Sequence, residues 1–158
     1  MTRRLIIVAL TATLALGILA APGGAASGPN PCKVLKKAEI AGALGGTVAS
    51  GRKGIATAVS TTCEFAVGAA GNRPAGTVSV HVMTIGAKAA FDGLPKISSD
   101  YQPMTELPNA LYSSNTGTID MLVGSKLVGV QGVFLGDDGR ADVQAQMIQL
   151  AKLARRRV

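Results

Sequence analysis

The stretch Leu111–Leu135, LYSSNTGTIDMLVGSKLVGVQGVFL, decides the fold. It contains three β-rich runs, at 111–115, 118–123 and 126–135. The breaks between them are Thr116-Gly117 and Gly124-Ser125, and a Gly-Ser pair between two such runs is typical of a type II′ hairpin turn. The stretch therefore predicts three consecutive strands joined by tight turns.

Two further strands precede this stretch, at 61–67 and 77–83. In the second of them Val78, Val80 and Val82 alternate with more polar residues, which predicts a sheet with one buried face. The glycine-containing segment 50–58 is predicted to be a loop or a weak edge strand. We expect 68–76 to form a flexible hairpin loop between the two strands.

Helical spacing of apolar residues begins at Val34 and ends at Leu44, where Gly45-Gly46 stops the helix. A short helix is predicted at 87–94 and a last one at 140–156, with a surface loop at 96–108. The predicted order is α-β-β-α-β-β-β-α. This order favours an α+β fold, an antiparallel sheet of about five strands with the N-terminal and C-terminal helices packed on one face.

The N-terminus has the pattern of a secretory signal peptide. Arg3-Arg4 precede the apolar run Leu5–Leu19, and the small residues Gly24–Ala26 follow it. We predict cleavage near Ala26, so that 1–26 is the signal peptide and 27–158 a single domain. The alternative is an N-terminal anchor that is not cleaved, although the run is shorter than the roughly 20 residues of a spanning helix.

The chain has two cysteines, Cys32 and Cys63, and export would place both in an oxidising space. We predict one disulfide, closing a loop of roughly 30 residues and worth about 3.5 kcal/mol in the chain-entropy model. A reactive thiol pair is the alternative. Because Pro29-Asn30-Pro31 before Cys32 does not fit a lipobox, the protein is expected to be secreted or extracytoplasmic and not lipidated.

A family resemblance rests on the two cysteine segments. Cys32, Val34-Leu35 and the helix AEIAGALGG at 38–46 are followed about thirty residues later by TCEF at 62–65. Together with the Ala-rich helix at the end of the chain, they resemble a family of exported actinobacterial proteins, often lipoproteins, of unknown function. The resemblance implies the fold and the compartment but no activity. Lys36 stands where the family usually has Thr or Ser, so we expect the capping box with Glu39 to be lost.

The formal net charge of +7 is concentrated near the ends of the chain. Arg3 and Arg4 belong to the predicted signal, and the last seven residues contain Lys152, Arg155, Arg156 and Arg157. Cations at a helix C-terminus are favoured by the helix dipole, which is the simpler interpretation. The alternative is weak contact of this basic C-terminus with anionic envelope polymers or lipids. No basic stripe carries aromatic residues, so nucleic acid is not an expected partner.

The sequence contains few residues that could support catalysis. His81 is the only histidine, no G-x-S-x-G motif is present, and His81 is expected to be solvated or edge-facing. Asp137, Asp138 and Asp142 are interpreted as helix-entry residues rather than calcium ligands. The remaining acidic residues are expected to be ordinary surface charges, among them Glu64, Asp92, Asp100, Glu106 and Asp120. We predict no catalytic residue, no metal and no cofactor.

The resulting hypothesis is a monomeric, non-catalytic envelope or secreted protein that binds a ligand or a protein partner. Tyr101, Met104 and Leu107 in the predicted surface loop are candidates for apolar contact with the partner, the alternative being that they close the core. Two other hypotheses remain open. One is a secreted inhibitor that inserts the loop 68–76 into a hydrolase, and the other is a small hydrolase with a carboxylate pair.

Overall fold

A computed structural model describes residues 29–136, 139–140 and 143–158. The predicted signal peptide and the three aspartates Asp137, Asp138 and Asp142 lie outside the described residues. Three α-helices are present in the described part: α1 (Lys37–Leu44), α2 (Ala87–Ile97) and α3 (Gln144–Arg155), with a 3₁₀ turn at Pro31–Lys33 before α1. The strands are β1 (Arg52–Ala56), β2 (Ser60–Val67), β3 (Gly76–Met83), β4 (Tyr101–Pro103), β5 (Ala110–Ser113), β6 (Thr118–Val123), β7 (Lys126–Gly136) and β8 (Gly139–Arg140).

Seven of these strands form one antiparallel sheet in the order β1-β2-β3-β7-β6-β5-β4, and the two-residue β8 pairs with the end of β7. The predicted α+β fold and antiparallel sheet are confirmed. The prediction of about five strands is too low because β1 and β4 were not counted. Both are short edge strands, and three-residue β4 lies inside the segment predicted as a surface loop.

One face of the sheet carries the main core. Val80 of β3 and Ile119 of β6 both pair with Val130 of β7, so their side chains lie in one row. Helices α1 and α3 contact each other and cover this face, as predicted for the two terminal helices. Gly132 allows the close approach of α3, because a Cβ there would lie 2.8 Å from Sδ of Met147.

Helix α2 packs on the opposite face, where it contacts β4, β6 and β7. Leu111 and Leu127 are buried there, outside the main core cluster. The helix extends to Ile97, beyond its predicted end, and contains Pro95 near its C-terminus. The sheet therefore has helices on both faces, a feature that apolar spacing did not reveal.

A disulfide joins Cys32 to Cys63, with 5.1 Å between the Cα atoms, and the predicted pairing is confirmed. It links the 3₁₀ turn to β2, where Cys63 is fully buried. Disulfides persist in oxidising compartments, so this one indicates a location outside the cytoplasm.

Two local predictions hold only in part. Half of the capping box survives at α1, because the Lys36 backbone N–H donates to the Glu39 carboxylate at 2.9 Å. The loop 68–76 is held in place rather than free, since the Arg73 guanidinium donates to the carbonyl oxygens of Leu44, Gly45 and Gly68. The bonds to Leu44 and Gly45 satisfy carbonyls at the C-terminal end of α1, where the helix itself supplies no partner.

Candidate functional site

The single histidine lies near the middle of the sheet, on the face opposite the main core. His81 stands between the buried residues Val80 and Val82 of β3, and strand alternation points it away from them. Its Nε2 lies 2.9 Å from Oδ1 of Asp120 on β6. The His81 side chain is 30% exposed, so the ring is accessible although it is paired with Asp120.

A glycine between the two residues makes this contact possible. Both His81 and Asp120 pair with Gly129 of β7, so the three residues form one row across neighbouring strands. A Cβ at Gly129 would lie 1.8 Å from Cε1 of the imidazole. Only a residue without a side chain lets the ring lie against the β7 backbone and reach the carboxylate.

Asp120 is only 3% exposed, so its prediction as an ordinary surface charge was wrong. The residue lies in β6, on the face covered by α2, and β6 contacts that helix. Burial of an unpaired carboxylate is costly, which explains why Asp120 needs polar partners. The imidazole N–H supplies one of them.

Tyr101 supplies a second contact to Asp120. Its pKa is raised above the ordinary value of 10.0, mainly by burial, then by the charge of Asp120 and the hydrogen bond between the two side chains. The nearby charge of Asp100 adds to the increase, and a hydrogen bond with Thr116 opposes it. His81, Asp120 and Tyr101, from β3, β6 and β4, therefore converge, and we call these three residues the polar cluster.

A second carboxylate supports the hairpin beside the polar cluster. Asp100 accepts hydrogen bonds from the hydroxyl groups of Ser98 and Ser113 and from the Asn115 backbone N–H. These bonds lower the pKa of Asp100, with the Ser113 hydroxyl as the largest cause. Asp100, the residue before Tyr101, thus ties the turn between β5 and β6 to the start of β4.

The three predicted contact residues do not share one site. Tyr101 joins the polar cluster, whereas Leu107 is buried in the main core and Met104 packs against that core on the other side of the sheet. The only aromatic residue of the three is therefore the one beside His81. Their predicted role in partner binding remains a prediction.

The chemistry available at the polar cluster follows from its hydrogen bonds. A carboxylate only accepts, so Nε2 of His81 carries the hydrogen that lies between the two residues. In the neutral ring, Nδ1 is then a hydrogen-bond acceptor for an O–H or N–H group. Among the described residues, no group of three or more His, Cys, Asp and Glu could hold a metal ion.

Fold and site together define a disulfide-linked α+β domain with a paired, accessible histidine on its sheet. No family model, curated protein or solved structure matches the chain. In the described part of the chain, no helix is long and apolar enough to cross a membrane.

Proposed function

We propose that the protein is an exported, non-catalytic binding domain that uses the polar cluster to bind a ligand or a protein partner in the cell envelope or the medium. The proposal includes cleavage near Ala26, no lipidation and a monomeric domain. It also places the chain with the exported actinobacterial proteins that its two cysteine segments resemble. The observation that carries the proposal is the accessible His81 ring held by buried Asp120.

Three strands of one sheet position the polar cluster. Sites built on strands keep their geometry better than sites built on loops, which lowers the entropy cost of binding. The imidazole orientation is set by Asp120 and by the flat surface at Gly129. A group that donates a hydrogen bond, such as a hydroxyl or an amine, is the chemistry that neutral His81 would accept.

The state of the nearby carboxylates favours binding over hydrolysis. Asp100 already accepts three hydrogen bonds, and Asp120 contacts both His81 and Tyr101. In a glycosidase both carboxyl groups face the substrate, one as the acid and the other as the base or nucleophile. Asp120 is instead 3% exposed, and Asp100 holds the hairpin through its three hydrogen bonds, which supports a binding role.

A second candidate, inhibition of a hydrolase, is favoured by one observation. The loop 68–76 is held by Arg73, which also stacks on the Phe134 ring at 4.7 Å. The tip residues Gly71 and Asn72 are exposed. A loop fixed before binding loses little entropy when it enters an enzyme, as an inhibitor loop requires.

Affinity capture with matched variants tests the proposed function. Wild-type protein, His81→Ala, Asn72→Ala and the control Lys88→Ala are immobilised in the oxidised form and exposed to envelope extract and medium. Retained molecules are identified by mass spectrometry. We expect at least one molecule to be retained by the wild type and by Lys88→Ala but lost with His81→Ala. A molecule that His81→Ala retains and Asn72→Ala loses would support the inhibitor instead. Chemical conversion of a bound molecule would refute a non-catalytic role.

A further inference from the structure

The structure joins two basic segments that are far apart in the sequence. The Arg157 guanidinium forms a two-pronged ion pair with the Glu39 carboxylate and donates to the Val34 carbonyl oxygen at 3.1 Å. The C-terminus of α3 therefore lies against the N-terminus of α1. The two joined segments, 33–37 and 152–157, carry six cations besides Arg155, whose guanidinium donates to the Pro108 carbonyl oxygen. We call these six residues the basic end: Lys33, Lys36, Lys37, Lys152, Arg156 and Arg157.

The basic end holds the whole excess positive charge of the domain. Glu39 is the acidic residue beside it, and that carboxylate is already paired with Arg157. In residues 27–158, the rest of the chain has eight basic and eight acidic residues. The basic end and Glu39 thus account for the net charge of +5 of residues 27–158, and the remaining charges cancel in number.

The helix dipole does not explain the lysines at α1. Lys36 is the N-cap and Lys37 the first residue of this helix, and both are exposed. The N-terminus of a helix carries partial positive charge, so two cations there are unfavourable. Lys152, before the C-terminus of α3, has the favourable dipole position. The lysines of α1 thus weaken the fold slightly, which points to a role in binding.

We infer that the basic end docks on the surface of an anionic phospholipid membrane. Until the predicted cleavage near Ala26, only about ten residues separate the apolar run that ends at Leu19 from Pro29, and they span at most about 35 Å. The basic end therefore meets the bilayer surface during export, and after cleavage only its charge can hold it there. Surface lysines and arginines are attracted to anionic headgroups, and this attraction orients the domain with the basic end towards the membrane.

Partitioning on phospholipid vesicles tests this inference. The exported, oxidised protein is mixed with vesicles of phosphatidylcholine alone or with added phosphatidylglycerol, at low and at high salt. Each basic residue near the surface contributes about fivefold to partitioning, so Lys36→Ala/Lys37→Ala should bind phosphatidylglycerol vesicles about twenty-five-fold more weakly. The matched control, Lys88→Ala/Lys96→Ala, removes two exposed cations from α2, on the opposite face of the sheet, and should bind like the wild type.

Three results would overturn the inference. The first is that the wild type binds both kinds of vesicle equally well. The second is that both double variants lose the same amount of vesicle binding, which would show dependence on net charge alone. The third is binding to soluble poly(glycerol phosphate) but not to vesicles, which would assign the surface to a wall polymer. Urea unfolding distinguishes a loss of binding from a loss of folding, because Lys36→Ala/Lys37→Ala should be at least as stable as the wild type.

Discussion

At the scale of single residues, Gly129 determines whether His81 can reach Asp120. In Gly129→Ala the new Cβ would overlap the imidazole, so the ring must leave and Asp120 loses a buried partner. We expect the free energy of unfolding in urea to fall by about 2–3 kcal/mol. In the control Gly42→Ala, the Cβ meets nothing within 4 Å in helix α1, and stability should rise by roughly 0.5–1 kcal/mol.

The double variant Gly129→Ala/His81→Ala separates the clash from other effects of alanine at this position. With the ring removed, the methyl group added at position 129 has room, so the two substitutions should cost clearly less than the sum of the single ones. Additive costs would mean that the ring does not lie against Gly129.

Tyr101 reports on the burial and the charge of the polar cluster. Its pKa is raised chiefly by burial and secondly by Asp120, so Asp120→Asn should lower it while leaving it above 10.0. Absorbance of the phenolate measures this directly in a Tyr112→Phe background, which leaves one tyrosine. Because the folded protein resists ionisation of Tyr101, we also expect stability to fall as the pH rises above about 10. An unchanged pKa in Asp120→Asn would contradict the contact.

At the scale of elements, Glu39 and Arg157 join α1 to α3. The pKa of Glu39 is lowered from its ordinary value of 4.5, mainly by the hydrogen bond with Arg157. The pair therefore stabilises the fold at pH values above 4.5, and this contribution is lost as the pH falls through the lowered pKa. Glu39→Gln should therefore reduce stability at neutral pH by about 1 kcal/mol, with the difference from wild type shrinking towards pH 3. A difference that is constant between pH 7 and pH 3 would rule out the ion pair as its source.

The elements differ in how far the sequence predicts them. Strand β6 has its predicted bounds, Thr118–Val123, because a turn residue stands at each end and the run between them is rich in β-forming residues. Strand β1 has Gly54 and exposed charges, and it gains its structure from pairing with β2 rather than from its own side chains. Pairing of this kind leaves little pattern in the side chains of the strand itself.

The polar cluster was less predictable than the fold, because it depends on register between strands distant in the sequence. Nothing local to Asp120 distinguishes it from an exposed aspartate, and its partners lie on β3 and β4. One signal was present in the sequence: glycine interrupts the apolar run of β7 at Gly129, which often marks a close approach. The side chain that makes this approach, His81, is identified only by the order and register of the strands in the sheet.

At the scale of the whole molecule, the disulfide ties the N-terminal segment to the sheet. Removing it frees a loop of 31 residues in the unfolded chain. The free energy of unfolding of Cys32→Ser/Cys63→Ser should therefore be about 3.5 kcal/mol lower than that of the oxidised wild type. Urea unfolding of the wild type with and without reductant provides the matched comparison. Equal midpoints in the two conditions would show that the disulfide does not stabilise this fold.

The measurement that tests the central claim most directly is the NMR signal of the imidazole C–H groups. His81 is the only histidine, so these signals report on the polar cluster without assignment. Oxidised protein is titrated with fractionated envelope extract and medium, and Gly42→Ala serves as a folded control with an intact cluster. We predict a saturable shift of the His81 signals in at least one fraction, in both proteins. A partner that binds the domain tightly and leaves these signals unchanged would contradict the account.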